Sequence, residues 1–289
     1  MRKFGEGVDV YLEAVESAYD DIRPDSHKRV IWAGQRETRT PLSIVYLHGF
    51  SASSQEIRPV PDRLAEALGA NLVYTRFRGH GRTPDAMGEA TAEDWMRDAS
   101  EALALGRATG ERVVVLATST GASIAAAALH HPAQRERVAG IIMVSPNFGI
   151  NNPLAPLLTW PAARHWLPLL AGKRRSFEPR STAQAAEWTT EYPSTAVFPM
   201  AAVVAHARVL DYSEVGLPAL FYYSDGDQVV RPEMSAKVAE GWGGPVTRLV
   251  PELGPGDDPF AHVVAGDIMS PGATASATEA MLNWIESVL

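Results

Sequence analysis

Seven short apolar runs, rich in β-branched residues, punctuate the chain: "KRVIWAG", "LSIVYLHG", "NLVYTRFRG", "RVVVLATS", "VAGIIMVSP", "PALFYYSDG" and "PVTRLVPE". Several are continuous rather than alternating in polarity, which is the pattern of strands buried on both faces of a mostly parallel sheet. Between them lie helical patterns: "VPDRLAEALGA", then "TAEDWMRDASEALALGRATG" with Thr91 and Asp94 at its start, "GASIAAAALHHP", "EMSAKVAEGW" and the terminal "SATEAMLNWIESVL". Strand and helix alternate, and right-handed crossovers then predict an α/β fold with helices on both faces of one sheet. A chain of 289 residues with 46% hydrophobic content can bury one large core, so one principal domain is expected.

Residues 151–211 break the rhythm. "PLAPLLTWPAARHWLPLL" followed by "AQAAEWTTEYPSTAVFPMAAVVAHARVL" is rich in Pro and Trp and reads as short helices with no strand. This segment separates a run ending near Ser145 from one starting near Pro218, so it is an insertion at the carboxyl edge of the sheet, between core segments 1–150 and 212–289. In open α/β sheets that edge is where ligands bind.

A formal net charge of -8 argues against a nucleic-acid partner, which needs a basic surface to release counterions. The run Lys173, Arg174, Arg175 is expected to be a solvated loop. With no cysteine, a disulfide, a thiolate metal site and a cysteine nucleophile are excluded, so any nucleophile is oxygen. No apolar stretch has the roughly 18 residues of a membrane span, and "MRKFGEGVDVYLEAVE" lacks the hydrophobic region of a secretory signal. The expectation is a cytoplasmic chain; the oligomeric state is not legible.

"VVVLATSTGAS", residues 113–123, changes from a strand built for burial into small hydroxyl and glycine residues. A serine at a tight strand-to-helix turn projects its hydroxyl above the sheet edge, and the turn is so cramped that residues two before and two after it must be nearly side-chain-free. Ala117 and Gly121 meet that condition around Ser119. The helix that follows points its positive end at the serine, which favours developing negative charge. A serine hydroxyl is a poor nucleophile until a base takes its proton, and the base must be held by a third group. On this kind of sheet the order along the chain is serine, acid, histidine.

Two acids compete for the third role: Asp225 and Asp227 in "PALFYYSDGDQVV", just beyond a strand tip. Asp227 is favoured because the valines after it can anchor its loop. His262, in "DDPFAHVVAGDIMSP", follows the last strand-like run and completes the order. A tetrahedral intermediate also needs preorganised donors for its oxyanion. Gly49, after the strand ending at Leu47, lets the chain turn so that the Phe50 amide can face the nucleophile, and Thr120 would supply the second amide. His48 and His80 are read as loop organisers. The adjacent His130 and His131 precede Pro132 at a helix end, and no cluster has metal-ligand spacing, so no metal or cofactor is expected.

With these residues in view, the sequence resembles the α/β-hydrolase superfamily, specifically its monoacylglycerol lipase and carboxylesterase-like branch. The resemblance rests on "LHGFSASS" as oxyanion loop, "RGHGRT" as the loop after the next strand, "ATSTGAS" as nucleophile elbow, "LPALFYYSDGDQVV" as acid strand and "AHVVAGD" as histidine loop. It implies a helical cap inserted after the sixth strand, at 151–211, and the spacing of Pro218 to Asp227 supports Asp227 as the acid. The expected activity is that of a serine hydrolase with Ser119 as nucleophile, His262 as general base, Asp227 as orienter and the Phe50 and Thr120 amides as oxyanion donors. Its expected partner is a small carboxylic ester with an apolar acyl or alkyl part, held by the cap residues Trp160, Trp166, Trp188, Phe198 and Met200. A peptidase, a carbon-carbon bond hydrolase and a non-catalytic ligand-binding relative are the alternatives, because a fold does not dictate a reaction.

Overall fold

The computed structural model describes residues 4–289. In chain order its elements are α1 (Val8–Glu16), β1 (Arg29–Ile31), β2 (Thr40–Leu47), α2 (Val60–Leu68), β3 (Asn71–Tyr74), α3 (Ala92–Thr109), β4 (Gly110–Thr118), α4 (Thr120–His130) and β5 (Val138–Val144). There follow α5 (Ala163–Ala171), β6 (Arg174–Ser176), α6 (Thr182–Glu187), β7 (Glu191–Pro193), α7 (Val197–Val209), β8 (Ala219–Tyr222), α8 (Pro232–Glu240), β9 (Val246–Leu249) and α9 (Thr274–Val288).

The seven apolar runs become one seven-stranded sheet in the order β1-β3-β2-β4-β5-β8-β9, parallel except for β1 on β3. Continuous apolarity follows from burial on both faces. In β4, Val113, Val115 and Ala117 enter the core beneath α3, α4 and α7, while Val114 and Leu116 enter the opposite core beneath α2 and α9. The start of α3 is secured as its sequence predicts: the Asp94 amide donates to Thr91 Oγ1 at 3.1 Å and the Thr91 amide to Asp94 Oδ2 at 3.0 Å, a reciprocal cap.

Topology decides where a site can form. The chain places β3 on one side of β2 and then crosses to lay β4 on the other, so the strand order reverses between β2 and β4 and their outgoing loops part there. The register pairs Leu47 with Ala117, which sets the loop beginning at His48 beside the turn at Ser119. Thr118, Val144 and Tyr222 lie in register across β4, β5 and β8, so the loops that leave these strands open onto one edge.

The insertion differs from its sequence reading in three respects. It follows the fifth strand of the sheet, and it contains strand: β6 and β7 pair antiparallel, Arg174 with Pro193 and Ser176 with Glu191. Three-residue strands on an exposed surface carry no apolar alternation to betray them. Arg174 and Arg175 of the basic run lie in β6 rather than in a loop, though they are solvated as expected, and Arg174 bonds Glu191 across the pair and Asp85 of the core. The helix α7 packs Met200, Val203, Val204 and Ala207 into the same core as α4. Among the described residues no helix is long and apolar enough to cross a membrane.

The amino-terminal helix is tied to the site side of the sheet by a buried ion pair. Arg76 donates to both Glu16 oxygens, at 2.9 and 2.7 Å, and to the His80 carbonyl at 3.2 Å, with the two side chains only 3% and 6% exposed. Removing one member strands the other charge in the interior. Arg76→Met is therefore expected to lower the free energy of unfolding by about 3–5 kcal/mol. Adding Glu16→Met to it, which leaves no orphan charge, should recover much of the loss; urea denaturation of the two variants checks the contrast.

Candidate active site

Ser119 stands between β4 and α4 with φ 52° and ψ -120°, a left-handed conformation that costs a serine energy and that only close packing maintains. The packing is explicit at Gly121: a Cβ there would sit 2.4 Å from the His48 carbonyl oxygen and 2.5 Å from that of Leu47. The amide of Ser119 donates to the Val144 carbonyl at 2.9 Å and its carbonyl accepts from the Asn147 amide at 3.1 Å, so neighbouring β5 holds the turn from its other side. Asn147 also donates through Nδ2 to Thr120 Oγ1 at 3.2 Å.

The three residues that the sequence aligns by order meet in space. Ser119 Oγ donates to His262 Nε2 at 3.0 Å, and His262 Nδ1 donates to Asp227 Oδ2 at 2.7 Å. All three are buried. Asp227 is fixed by its own loop, its Oδ1 accepting from the amides of Val229 at 2.8 Å and Val230 at 2.9 Å. Asp225 points elsewhere: its side chain is 71% exposed and bonded to Arg248. Burial disfavours a charged His262 ring, but the Asp227 hydrogen bond and charge, with the charges of Glu56 and Asp258, outweigh it and raise its pKa above the ordinary histidine value.

Two carboxylates that sequence reading passed over shape the loops around this group. Asp258 accepts from the amides of His262 at 3.1 Å and Val263 at 2.9 Å, folding the histidine loop, and an Arg180 nitrogen from the insertion lies 3.4 Å from its other oxygen. Glu56, a buried residue of the β2–α2 loop, accepts from the Gly49 amide at 2.7 Å. Burial pushes its carboxyl up to about 7. "DDPFAH" and "SSQE" look like ordinary polar loop text; only the fold encloses them.

His48 is a loop organiser in the structure too. Its Nε2 accepts from the Phe77 amide at 3.2 Å, which leaves Nδ1 to donate to the Gly49 carbonyl at 2.9 Å. Burial pushes its pKa down to about 4, so it stays neutral.

Above Ser119 lies a cavity of about 560 Å³, lined on the core side by Phe50, Glu56, Thr120, Asn147, Val229, Phe260 and Met269 and on the insertion side by Phe177, Trp188, Tyr192 and Met200. Of the expected wall residues, Trp188 and Met200 reach it; Trp160, Trp166 and Phe198 do not. Trp160 follows a 3₁₀ turn and is 58% exposed, and Trp166 hydrogen-bonds the nearby Pro161 carbonyl. Phe198 precedes Met200 by two positions on α7, which turns it about 200° around the helix axis. The wall is held to the core by the Thr189 amide donating to the Ser51 carbonyl at 2.7 Å and by Arg23 donating to the Trp188 carbonyl at 3.1 Å.

Residues 39–250 match the family model described as serine aminopeptidase, S33. The chain belongs to this α/β-hydrolase family. Solved structures share its fold: a metagenome-derived lipolytic enzyme at 21% identity and TM-score 0.74, covering 92% of this chain and 99% of its own, and the monoacylglycerol lipase of Paleococcus ferrophilus at 14% identity and TM-score 0.64, covering 91% and 100%. A soluble variant of Saccharomyces cerevisiae monoglyceride lipase, solved with a substrate analog, shares 14% identity at TM-score 0.64 over 90% of each chain. No curated protein matches the sequence. Within this α/β-hydrolase the closeness of Gly121 to the strand β2 exit makes a sharp prediction. Gly121→Ala is expected to cost at least about 1–3 kcal/mol of stability, through a backbone clash with no flexible side chain to yield, and to lower activity in the protein that still folds; thermal unfolding and activity per folded molecule measure both.

Proposed function

We propose that this hydrolase cleaves carboxylic esters with an apolar acyl or alkyl part through an acyl-enzyme on Ser119. The observation that carries the reading is the hydrogen-bonded run from Ser119 Oγ through His262 to Asp227 at the base of a largely apolar cavity. In the reaction, Ser119 Oγ attacks the ester carbonyl while His262 Nε2 takes its proton, and Asp227 holds the ring through Nδ1 and stabilises the imidazolium. The Phe50 and Thr120 amides carry the oxyanion. His262 then gives its proton to the leaving alcohol. Water, activated by the same ring, attacks the acyl-enzyme and frees Ser119. The 151–211 cap, through Trp188 and Met200, is the specificity wall; the lipolytic function named for the neighbouring structures supports the same reading.

A second reading, peptide cleavage, is favoured by one observation: the matching family is described as serine aminopeptidase. The two separate on substrate panels. Each buried methylene is worth about 0.8 kcal/mol, so kcat/KM is expected to rise several-fold per two-carbon step along p-nitrophenyl esters until the cavity is full. Aminoacyl p-nitroanilides gain nothing comparable from an apolar wall. Preference for the anilides, or indifference to acyl length, would reverse the ranking. Ser119→Ala should abolish fluorophosphonate labelling and cost on the order of 10⁴-fold in turnover.

The acid assignment and the proton economy have their own test. Asp227→Asn is expected to reduce kcat by about 10⁴-fold, because the amide favours the wrong imidazole tautomer, whereas Asp225→Asn, on an exposed side chain, should change it little. A protonated His262 cannot accept the serine proton, so activity falls as pH drops through its pKa. That pKa is raised, so the acid limb of kcat/KM should have its midpoint above about 6.5. A midpoint below that value, or a reversed ranking of the two aspartates, contradicts the assignment.

A further inference from the structure

Two buried carboxyl groups of the cavity, Glu56 and Asp258, stand outside the serine–histidine–aspartate relay. Glu56 is 3% exposed, yet it lines the cavity together with Ser119 and His262. Its Oε2 accepts from the Gly49 amide at 2.7 Å and from the Tyr46 hydroxyl at 3.1 Å. Tyr46 spends its only proton on Glu56, so the Thr118 hydroxyl, 3.2 Å away, is the donor to Tyr46. The hydrogen bonds therefore run from the residue before the nucleophile, through β2, to the start of the oxyanion loop. The other carboxyl oxygen also lies against Gly49. A Cβ built on Gly49 would stand 2.6 Å from Glu56 Oε1 and 3.2 Å from Ser119 Cβ, so this oxygen and the nucleophile flank the same glycine.

Two consequences follow. An anchored Gly49 amide sets the orientation of the next peptide, whose N–H belongs to Phe50. Glu56 and His262 also line the same cavity, and the histidine loop packs onto this segment at Gly266, where a Cβ would meet Ile57 Cα at 2.6 Å and the Glu56 backbone carbonyl at 2.9 Å. Four groups surround the pair. His262 has Asp227 from the β8 exit, Glu56 from the β2 exit and Asp258 from its own loop, the last drawn toward Arg180 of the insertion, while Glu56 has Tyr46 from β2. Glu56 has no lysine or arginine partner among the described residues, so its charge is not cancelled and His262 is the cation it meets.

We propose that Glu56 is a positioning residue for hydrolysis: its carboxylate orients the oxyanion loop through Gly49 and adds a second negative charge that stabilises the His262 imidazolium formed as Ser119 attacks. The proposal rests on the catalytic reading of Ser119 and His262. Burial pushing the Glu56 carboxyl up to about 7 gives it a consequence for pH dependence. Glu56 and His262 titrate as a coupled pair over the acid limb, and the charge on one moves the other.

The two roles separate in two variants. Glu56→Gln keeps an oxygen for the Gly49 amide but removes the charge. It is expected to leave KM within about two-fold, lower kcat by roughly 10-fold and move the acid limb of kcat/KM to lower pH, because one of the carboxylates raising His262 is gone. Glu56→Asp keeps the charge but draws it one methylene away from Gly49. It is expected to lower kcat by roughly 10-fold or more, approaching the loss of an oxyanion donor, with an acid limb closer to wild type than in Glu56→Gln. A residue that merely stabilises the loop would shift unfolding temperature and leave the limb where it was. A Glu56→Gln enzyme whose limb coincides with wild type, or a Glu56→Asp enzyme with wild-type kcat, overturns the proposal; the second result decides it even if the Gln variant does not fold. Fluorophosphonate labelling of wild type and of Ser119→Ala runs alongside. If wild type labels at Ser119 while the Glu56 variants behave as wild type, only this proposal fails; if Ser119 does not label, the catalytic reading itself fails.

Discussion

At the carboxyl edge of β4 the backbone of Gly121 presses on the carbonyls of Leu47 and His48, too close for even a methyl group between them. This contact couples the two loops that a hydrolytic site needs adjacent, one carrying Ser119 and the other Gly49 and Phe50. The register of β2 on β4 brings the strands out side by side, and the reversal of strand order between them leaves room above. The positive φ of Ser119 is the local cost of that arrangement, offset by hydrogen bonds of its amide and carbonyl to the β5 side.

Burial acts on every histidine near the nucleophile, yet not with the same result. His48 and His80 are pushed down by burial and remain neutral, because backbone hydrogen bonds oppose it only weakly, no carboxylate stands against it, and the Arg76 charge adds to it. His262 is equally enclosed but faces Asp227, Glu56 and Asp258, and is raised. The same desolvation thus leaves neutral loop organisers in one place and a histidine whose charged form is favoured in another. What differs is the sign of the surrounding charge.

The insertion shares its residues between two tasks. α7 belongs to the core beneath the sheet, whereas the segment from β6 to β7 turns Phe177, Trp188 and Tyr192 toward the cavity. Its attachments, Thr189 to Ser51, Ser53 to Glu187 and Arg180 to Asp258, end on the loop after β2 and the loop that carries His262. The insertion side of the cavity and the loops of the candidate site are therefore mechanically connected. A displacement of the insertion would disturb the bonds that hold these loops in place.

Much of this architecture is legible in the order of residues along the chain. Continuous apolar runs alternating with amphipathic ones encode a parallel sheet clothed by helices, because periodicity records which faces are buried. Ala117, Ser119 and Gly121 mark an elbow, because a cramped turn excludes side chains at fixed local offsets. Such rules act over a few residues, and the sequence by itself determined what they govern: the fold class, the elbow and the order of Ser119, Asp227 and His262. It favoured Asp227 over Asp225 only through the valines that follow and the spacing from Pro218, and it could not tell Trp188 from Trp160, nor mark Glu56 and Asp258 as anything but polar loop residues. Those distinctions belong to the tertiary structure, since the charge state of a carboxyl group and the facing of an aromatic ring depend on which distant segments enclose them. His262 lies 35 residues from the aspartate it meets and 143 from the serine.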